Sequence, residues 1–204
     1  MVNDIAAHHE RTSSPAAIPT GDFAAAWLSR ADKLGALDAA ISPASGQVLV
    51  NADYVSAVRT LLDGAAQSIR VMLFLGTPAE GDALAPGPLR LVESLEERAA
   101  AGVSVRLILD QDDGGEPFGS LFINQALVDR LASTAVEVRF DPEDTLLHSK
   151  VVVVDDQVAV VGSHNWTRSG FNNTHELSVL YVAPAVAAAF GTRFDSLWAS
   201  LPVL

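Results

Sequence analysis

Residues 148–166 read HSKVVVVDDQVAVVGSHNW, and this stretch predicts two apolar strands joined by a tight turn. Side chains two positions apart on a strand point to the same face, so we expect His148 and Lys150 side by side. Asp155 stands at an odd offset and is expected to face the other way, at the turn. The second run ends in a Gly-Ser-x-Asn turn that carries Asn165. An imidazole, an ammonium and an amide donor in this spacing favour attack on a phosphoryl group.

Outward from this stretch, apolar runs with helical and strand periods alternate along the chain. The predicted helices cover 22–40, 54–67, 89–102, 121–132 and 185–201, and the predicted strands cover 68–76, 103–110, 136–140, 146–155, 157–163 and 175–182. Residues 41–47 are predicted to form a turn, and an Asn/Gly-rich loop is predicted before the last strand. This alternation predicts an α/β fold with a largely covered sheet. Residues 1–20 are polar and aperiodic, which predicts a disordered leader before one domain over 21–204.

The composition of the 204 residues restricts the function classes. There is no cysteine, which excludes disulfides and thiolate metal sites. The formal net charge of −12 argues against non-specific nucleic-acid binding by the whole surface, although a local cationic cleft stays open. No apolar run approaches the ~20 residues of a membrane-spanning helix, and the N-terminus lacks the pattern of a signal peptide. We therefore expect a cytoplasmic protein with no transmembrane segment.

Three residues of the opening stretch have a structural interpretation beside the chemical one. His148 is either a nucleophile toward phosphorus or a packed histidine of a core strand. Lys150 stands among valines, where an ammonium is costly unless it meets an anion, which is either a bound phosphate or the carboxylate of Asp155. Asn165 either donates its amide to a phosphoryl oxygen or is an ordinary turn asparagine. The common register of the three favours the chemical interpretation.

The spacing also resembles, at every position, the signature of the phospholipase D superfamily. The matching pattern is His148-x-Lys150, four residues, Asp155, six residues, Gly162-Ser163-x-Asn165. The resemblance extends over about residues 48–201 and implies a phospholipase D-like α/β/α sandwich with a mixed sheet. It implies a phosphodiesterase that works through a covalent phosphohistidine at His148, with no metal and no cofactor. It also places Glu176 where the family has an acidic residue that orients a catalytic histidine.

A single copy of the signature resembles the bacterial endonuclease-like and mitochondrial phospholipase-like branch, whose members act as homodimers. Two histidines are needed if one attacks phosphorus and another protonates the leaving oxygen, and this sequence offers one good candidate. We therefore expect a homodimer with the active site across the twofold axis. Nucleic acid is slightly favoured as the substrate over a phospholipid or another small phosphodiester. The alternatives outside catalysis are a nucleic-acid-binding module with an idle site and a subunit of a larger complex.

The other candidate residues are expected to support the site or to line its rim. Structural or bracing roles are expected for Asp155, Gly162 and Ser163. Trp166 is expected to pack in the core, with substrate binding by base stacking as the alternative, and Arg168 is a candidate for binding a flanking phosphate of the substrate. His164 and His175 flank the signature and are expected in rim or loop positions.

An acidic segment follows the strand predicted at 103–110. Its carboxylates are those of Asp110, Asp112, Asp113 and Glu116. Oxygen ligands in such a cluster could hold Mg²⁺ or Ca²⁺. We expect a solvated loop instead, because the chemistry implied by the resemblance uses no metal.

Overall fold

A seven-stranded mixed sheet forms the centre of the computed structural model, which describes residues 45–81, 87–112 and 119–202. Its strands are β1 (Ser45–Val50), β2 (Ser68–Leu73), β3 (Ser104–Leu109), β4 (Glu137–Phe140), β5 (Lys150–Val154), β6 (Val158–Gly162) and β7 (Leu177–Val182). The spatial order is β1-β7-β6-β5-β2-β3-β4. Strands β2, β3 and β4 run parallel to one another, and every other neighbouring pair is antiparallel. These strands belong to a compact unit over Pro43–Leu204.

Helices cover both faces of the sheet. They are α1 (Asp53–Asp63), α2 (Leu89–Ala100), α3 (Ser120–Leu131), the short α4 (Arg168–Asn172) and α5 (Pro184–Ser200). Helices α1 to α4 contribute to the core on one face, and α5 covers the other face. The predicted α/β/α sandwich with a mixed, covered sheet is confirmed. Within the described ranges, no helix is both long and apolar enough to span a membrane.

The valine run of β5 shows why this sequence needs two covered faces. Val152 and Val154 pack in the core beneath α1 to α3, whereas Val151 and Val153 pack in the core beneath α5. Side chains alternate along a strand, so a continuous apolar run is stable only where both faces of the sheet are buried. Lys150 has the parity of Val152 and therefore starts on the α1 side of the sheet.

One edge of the sheet collects the residues of the sequence signature. Because β5 is antiparallel to β2, the start of β5 lies beside the end of β2, and Lys150 is paired with Leu73. The chain leaves β6 and enters β7 at the same edge, where Gly162 is paired with Ser178. The ends of β3 and β4 also lie here, because both are parallel to β2. Ligand sites of α/β sheets are commonly found at the carboxyl ends of the parallel strands.

Two elements differ from the sequence-based expectation. Residues 45–50 form the edge strand β1 antiparallel to β7, where a turn was predicted over 41–47. Residues 168–172 form helix α4 inside the predicted loop, and the side chain of Thr167 caps this helix by accepting a hydrogen bond from Gly170 N–H. The predicted leader at 1–20 and helix at 22–40 lie outside the described residues, so the domain start at residue 21 stays a prediction.

Candidate active site

His148 and Lys150 lie together at the edge of the sheet where β2 ends and β5 begins. The predicted strand 146–155 begins only at Lys150, so His148 lies on the segment that leads into β5 rather than on the strand itself. The side chain of His148 is exposed, and its ring centre lies 4.9 Å from that of Phe74. An exposed imidazole on the approach to a strand is not the packed core histidine that was the alternative interpretation.

Lys150 is a buried cation, only 6% exposed. Its Nζ donates a hydrogen bond to the carbonyl oxygen of His148 at 2.9 Å and lies 4.9 Å from the centre of the Phe74 ring. Burial lowers the pKa of the Lys150 ammonium, and the carboxylates of Glu176 and Asp110 raise it. The alternative ion pair with Asp155 is wrong, because the two residues lie at opposite ends of β5.

Asn165 is held with its amide in a defined orientation. The N–H of Leu75 donates to Asn165 Oδ1 at 3.3 Å, which leaves Nδ2 as the donor of the amide. The following residue fixes the turn to the segment after β2, because Trp166 N–H donates to the Leu75 carbonyl at 2.9 Å and Thr77 N–H to the Trp166 carbonyl at 2.8 Å. Asn165 is therefore more than a free turn asparagine.

Glu176 and Ser163 form a hydrogen-bonded pair across β6 and β7. The Ser163 hydroxyl donates to Glu176 Oε2 in a short contact and accepts from Leu177 N–H at 3.1 Å. The backbone N–H of Glu176 is held by Asn51 Oδ1 at 2.9 Å. Within one chain, the Glu176 carboxylate is thus directed to Ser163, and its expected action on a histidine stays a prediction.

Gly162 allows β6 and β7 to approach closely beside this pair. A Cβ at Gly162 would lie 2.2 Å from Ser178 Oγ and 2.3 Å from the carbonyl oxygen of Leu177. Any larger residue would therefore displace the turn that carries Ser163 and Asn165.

Asp155 lies at the far end of the hairpin. Its carboxylate accepts three hydrogen bonds of 2.8 Å, from the backbone N–H groups of Ala66, Gln67 and Ser68. Desolvation raises the pKa of the Asp155 carboxyl, but these three donors together lower it below its ordinary value. The carboxylate ties the β5–β6 turn to the segment that enters β2.

Behind the signature lies a buried aromatic cluster that the sequence did not predict. Trp166 is fully buried and donates its indole N–H to the Tyr54 hydroxyl at 3.0 Å. Trp166 therefore packs in the core, as expected, and the alternative of substrate binding by its ring is wrong. His164 lies in a loop, as expected, but it is fully buried and stacked on Tyr54 with ring centres 4.4 Å apart, so a position at the rim is wrong.

The partners of His164 fix its tautomer. Nε2 lies 3.1 Å from the carbonyl oxygen of Asn51, which only accepts, so Nε2 carries the hydrogen. Nδ1 then accepts from the Ser178 hydroxyl at 2.7 Å. Burial lowers the pKa of the His164 imidazole, which favours this neutral form. Neither ring nitrogen is available to a substrate, whereas His175 and Arg168 are exposed near the signature.

The described start of the acidic segment after β3 is bonded to its surroundings rather than solvated. Asp110 is 1% exposed, and its Oδ1 accepts a hydrogen bond of 2.6 Å from Leu147 N–H. Asp112 accepts from Ser120 N–H at the start of α3. Asp113 and Glu116 lie outside the described residues. Within residues 45–81, 87–112 and 119–202, no group of three or more His, Cys, Asp or Glu side chains is arranged to hold a metal ion.

An open pocket of about 340 Å³ unites the predicted residues. It is lined by His148, Lys150, Gly162, Ser163, Asn165 and Glu176. A nucleophilic imidazole, a buried cation and an oriented amide around one open space are the groups that transfer of a phosphoryl group requires.

Known proteins are similar to this chain in sequence and in fold. The family described as "Cardiolipin synthase, PLD-like domain" matches residues 58–198. Human mitochondrial cardiolipin hydrolase is 28% identical over 109 residues, which cover 53% of this chain and 39% of that protein. The Xenopus tropicalis mitochondrial cardiolipin hydrolase is 30% identical over 113 residues, covering 55% and 49%. The matched region thus spans less than half the length of these relatives.

Solved structures show the same architecture. Nuc from Salmonella typhimurium, a phospholipase D family member, superposes with a TM-score of 0.64 at 23% identity, covering 79% of this chain and 98% of Nuc. NucT from Helicobacter pylori superposes with a TM-score of 0.62 at 14% identity, covering 79% and 99%. The match over 58–198 confirms the resemblance seen in the signature, and the chain belongs to the phospholipase D-like family.

Proposed function

We propose that this protein is a metal-independent phosphodiesterase that forms a covalent phosphohistidine at His148. The observation that carries the proposal is the convergence of His148, Lys150 and Asn165 on one open pocket. His148 is exposed enough to meet a substrate, while Lys150 is buried beneath it. Lys150 has no ion pair within 4.0 Å among the described residues, and a phosphate anion in direct contact would compensate the desolvation of its ammonium.

The reaction has two displacements at phosphorus. A ring nitrogen of His148 attacks, a P–N bond forms, and the P–O bond to the leaving group breaks as that oxygen takes a proton. An ammonium carries three donors and the His148 carbonyl uses one, so Lys150 has donors left for a non-bridging oxygen. Asn165, whose Oδ1 is held by Leu75 N–H, would donate its Nδ2 to a second oxygen. Water then attacks phosphorus, gives its proton to the group that protonated the leaving oxygen, and the P–N bond to His148 breaks.

The protonation of the leaving oxygen leads to a homodimer with its active site across the twofold axis. The pocket contains one imidazole, and the buried His164 has both ring nitrogens engaged. A second copy of this chain would supply a second His148 as the general acid.

Subunit mixing tests this arrangement. Wild-type and His148→Ala chains are co-expressed in known ratio and purified as randomly assorted dimers. If one site needs both histidines, the activity falls as the square of the wild-type fraction, to a quarter at equal mixing. A linear fall, to a half, or a monomer in analytical ultracentrifugation, would contradict the shared site.

The chemistry itself is tested with an aryl phosphodiester such as bis(p-nitrophenyl) phosphate. We expect His148→Ala to abolish turnover, and His175→Ala, an exposed histidine outside the pocket, to leave it unchanged. Wild-type activity should survive excess chelator, and denatured reaction mixtures should contain an acid-labile, base-stable phosphohistidine. Loss of activity in excess chelator would contradict the metal-free mechanism. Intact nucleic-acid binding without hydrolysis of any diester would favour the binding module or the larger complex instead.

Two substrate classes are proposed. A nucleic acid is the first, through the resemblance to the endonuclease-like branch, and the exposed Arg168 near the signature is a candidate contact to a flanking phosphate. A phospholipid is the second. Leu146 lies two residues before His148, and Leu177 directly follows Glu176. Their side chains are 66% and 59% exposed, as contacts to an acyl chain would require. The matched relatives, moreover, are named cardiolipin hydrolases.

A substrate panel separates these classes. Single-stranded DNA, single-stranded RNA and cardiolipin vesicles are compared with His148→Ala as the blank for each. A phospholipid substrate would be established if Leu146→Ser and Leu177→Ser hydrolyse cardiolipin more slowly than wild type while their turnover of the aryl diester is unchanged. Cleavage of a nucleic acid that falls in Arg168→Ala would establish the first class.

A further inference from the structure

Two buried carboxylates occupy neighbouring positions at the ends of β3 and β4. Asp110 is 1% exposed and Asp141 is 2% exposed. The parallel register pairs Leu109 with Phe140, so its continuation sets Asp110 beside Asp141. Alternation of side chains then directs both carboxylates to the face covered by α5. Neither residue lines the pocket of the proposed reaction.

Each carboxylate uses one oxygen and leaves the other without a partner. Asp110 Oδ1 accepts from Leu147 N–H at 2.6 Å, and Asp141 Oδ1 accepts from Gln111 N–H at 3.1 Å. Asp110 Oδ2 and Asp141 Oδ2 are buried and have no hydrogen-bond partner. Among the described residues, the Ser120 hydroxyl is the one other buried side-chain atom in this condition. Two orphan acceptors at neighbouring positions call for a common explanation.

A single proton between the two orphan oxygens would provide it. Two carboxylates that share a site cannot both ionise without strong repulsion, and a buried charge without a donor is costly. Desolvation and the charge of Asp110 raise the pKa of the Asp141 carboxyl to about 6, although backbone donors, including those of Gln111 and Leu147, oppose the rise. A proton held by one carboxyl would donate to the other and satisfy both Oδ2 atoms at once.

The charged groups around the pair are already engaged or act on it weakly. Lys150 of β5 interacts with Asp110 through its charge while donating to the His148 carbonyl. The next basic groups on this face are Arg106 of β3, bonded to Asp195 of α5, and Arg139 of β4, bonded to the carbonyls of Trp198 and Leu201. Asp112, in the segment after β3, accepts from Ser120 N–H. The exposed Glu143 and Asp144 follow Asp141 along the chain.

We propose that Asp110 and Asp141 share one proton and, as this pair, hold the Leu147–His148 peptide in position for the reaction at His148. The inference rests on the proposed function, because it gives the pair a purpose in that reaction. The link is direct, since Leu147 N–H is bonded to the pair and Leu147 is the residue before His148. Asp110 and Asp141 are positioning residues: they touch the segment that carries the nucleophile.

The first experiment needs no activity. The aspartate carboxyl carbons of the full chain are labelled with ¹³C and followed by NMR through a pH titration, with Asp110→Asn and Asp141→Asn for assignment. We expect the Asp141 carbon to titrate near pH 6 and the Asp110 carbon to report the same step, a response that should be absent in Asp141→Asn. The Leu147 amide proton should follow the same step. Complete titration of both carbons below about pH 4.5, near ordinary aspartate values, would overturn the shared proton.

The second experiment measures kcat and KM of the aryl phosphodiester. In Asp141→Asn, the amide donates permanently to Asp110, so kcat should stay within about threefold of wild type, whereas Asp141→Ala should lose about tenfold or more in kcat at a similar KM. Asp144→Asn, an exposed aspartate of the same segment, is the matched control. Equal loss in the asparagine and alanine variants, or unchanged kcat in both, would overturn the positioning role. If wild type hydrolyses no diester, the proposed function is wrong. The NMR titration still tests whether Asp110 and Asp141 share a proton.

Discussion

Replacing Asp155 by asparagine separates the structural role of this signature residue from a chemical one. The carboxylate accepts three backbone hydrogen bonds of 2.8 Å and lies at the sheet edge opposite the pocket. Asparagine has the same shape, but its Nδ2 would face an N–H donor where Oδ2 now accepts from Ala66. We expect Asp155→Asn to be less stable and still active.

The expected loss follows from the environment of the three donors. A hydrogen bond to a charged group contributes roughly 1.5–3 kcal/mol. The contacts to Ala66 and Gln67 are exposed and the contact to Ser68 is partly buried, so water replaces much of what is lost. We therefore expect a decrease of about 3 kcal/mol in the free energy of unfolding rather than the sum of three bonds. For a unit of this size, that corresponds to about 6–12 °C in Tm.

Asp156→Asn is the matched control. Asp155 and Asp156 have the same φ of 53°, which asparagine tolerates, so the backbone contribution is the same in both variants. Asp156 makes one ion pair, with Arg70 at 2.9 Å, and its side chain is 46% exposed. Such a pair contributes about 1 kcal/mol or less. Urea unfolding of both variants at neutral pH, followed by tryptophan fluorescence, measures the difference.

The dependence of the free energy of unfolding on pH is a second test of the role of Asp155. The folded state lowers the pKa of the Asp155 carboxyl, so its contribution to stability is present above the ordinary aspartate pKa and lost as the pH falls through the folded value. The gap between wild type and Asp155→Asn should therefore shrink in acid. If Asp155→Asn instead loses kcat while its free energy of unfolding is unchanged, Asp155 acts in the chemistry and the structural role is refuted.

Three further variants test the pocket and the cluster behind it. Lys150→Met should fold, because a buried ammonium is expensive, and should lose about 10²–10³ in kcat; unchanged kcat would remove the lysine from the mechanism. Asn165→Ala should lose about 10²–10³ in kcat with little change in Tm, since its bond from Leu75 is long at 3.3 Å; a large Tm loss would make it a structural asparagine. His164→Gln should lose stability at neutral pH with its stacking on Tyr54. Because burial lowers the pKa of His164, wild type should lose stability as the pH falls through the ordinary histidine range, and this loss should be absent from the variant in thermal unfolding.

The sequence predicted those elements whose causes are local. The valine runs, the turn at Asp155 and the helical stripes each lie within one short window, and within the described residues the strands and helices formed there. The pocket residues were also predictable, because the hairpin 150–162 brings the two ends of the signature to one edge.

Features that depend on distant partners were missed. Strand β1 has only three consecutive apolar residues, and it forms because β7 offers a free edge more than 120 residues later. His164 lies in a polar, glycine-flanked stretch that is typical of a loop, yet it is buried against Tyr54 of α1. Asp110 looked like the start of an acidic loop because its partners, Asp141 and Leu147, lie in a later part of the chain.

The spacing of the signature can now be explained by the sheet. Five steps along β5, at about 3.3 Å each, carry the chain roughly 17 Å from Lys150 to Asp155. The six residues between Asp155 and Gly162 turn and return along β6 to the first edge. One strand out and one strand back therefore bring Asn165 to Lys150 and leave Asp155 at the far side, fixing the hairpin to the start of β2. A one-residue change in either strand would reverse the parity of every side chain beyond it and turn Lys150 or the Gly-Ser-x-Asn turn out of the pocket. The spacing of the signature is thus a requirement of sheet geometry. Only its residues at the pocket end of the hairpin need to take part in the reaction.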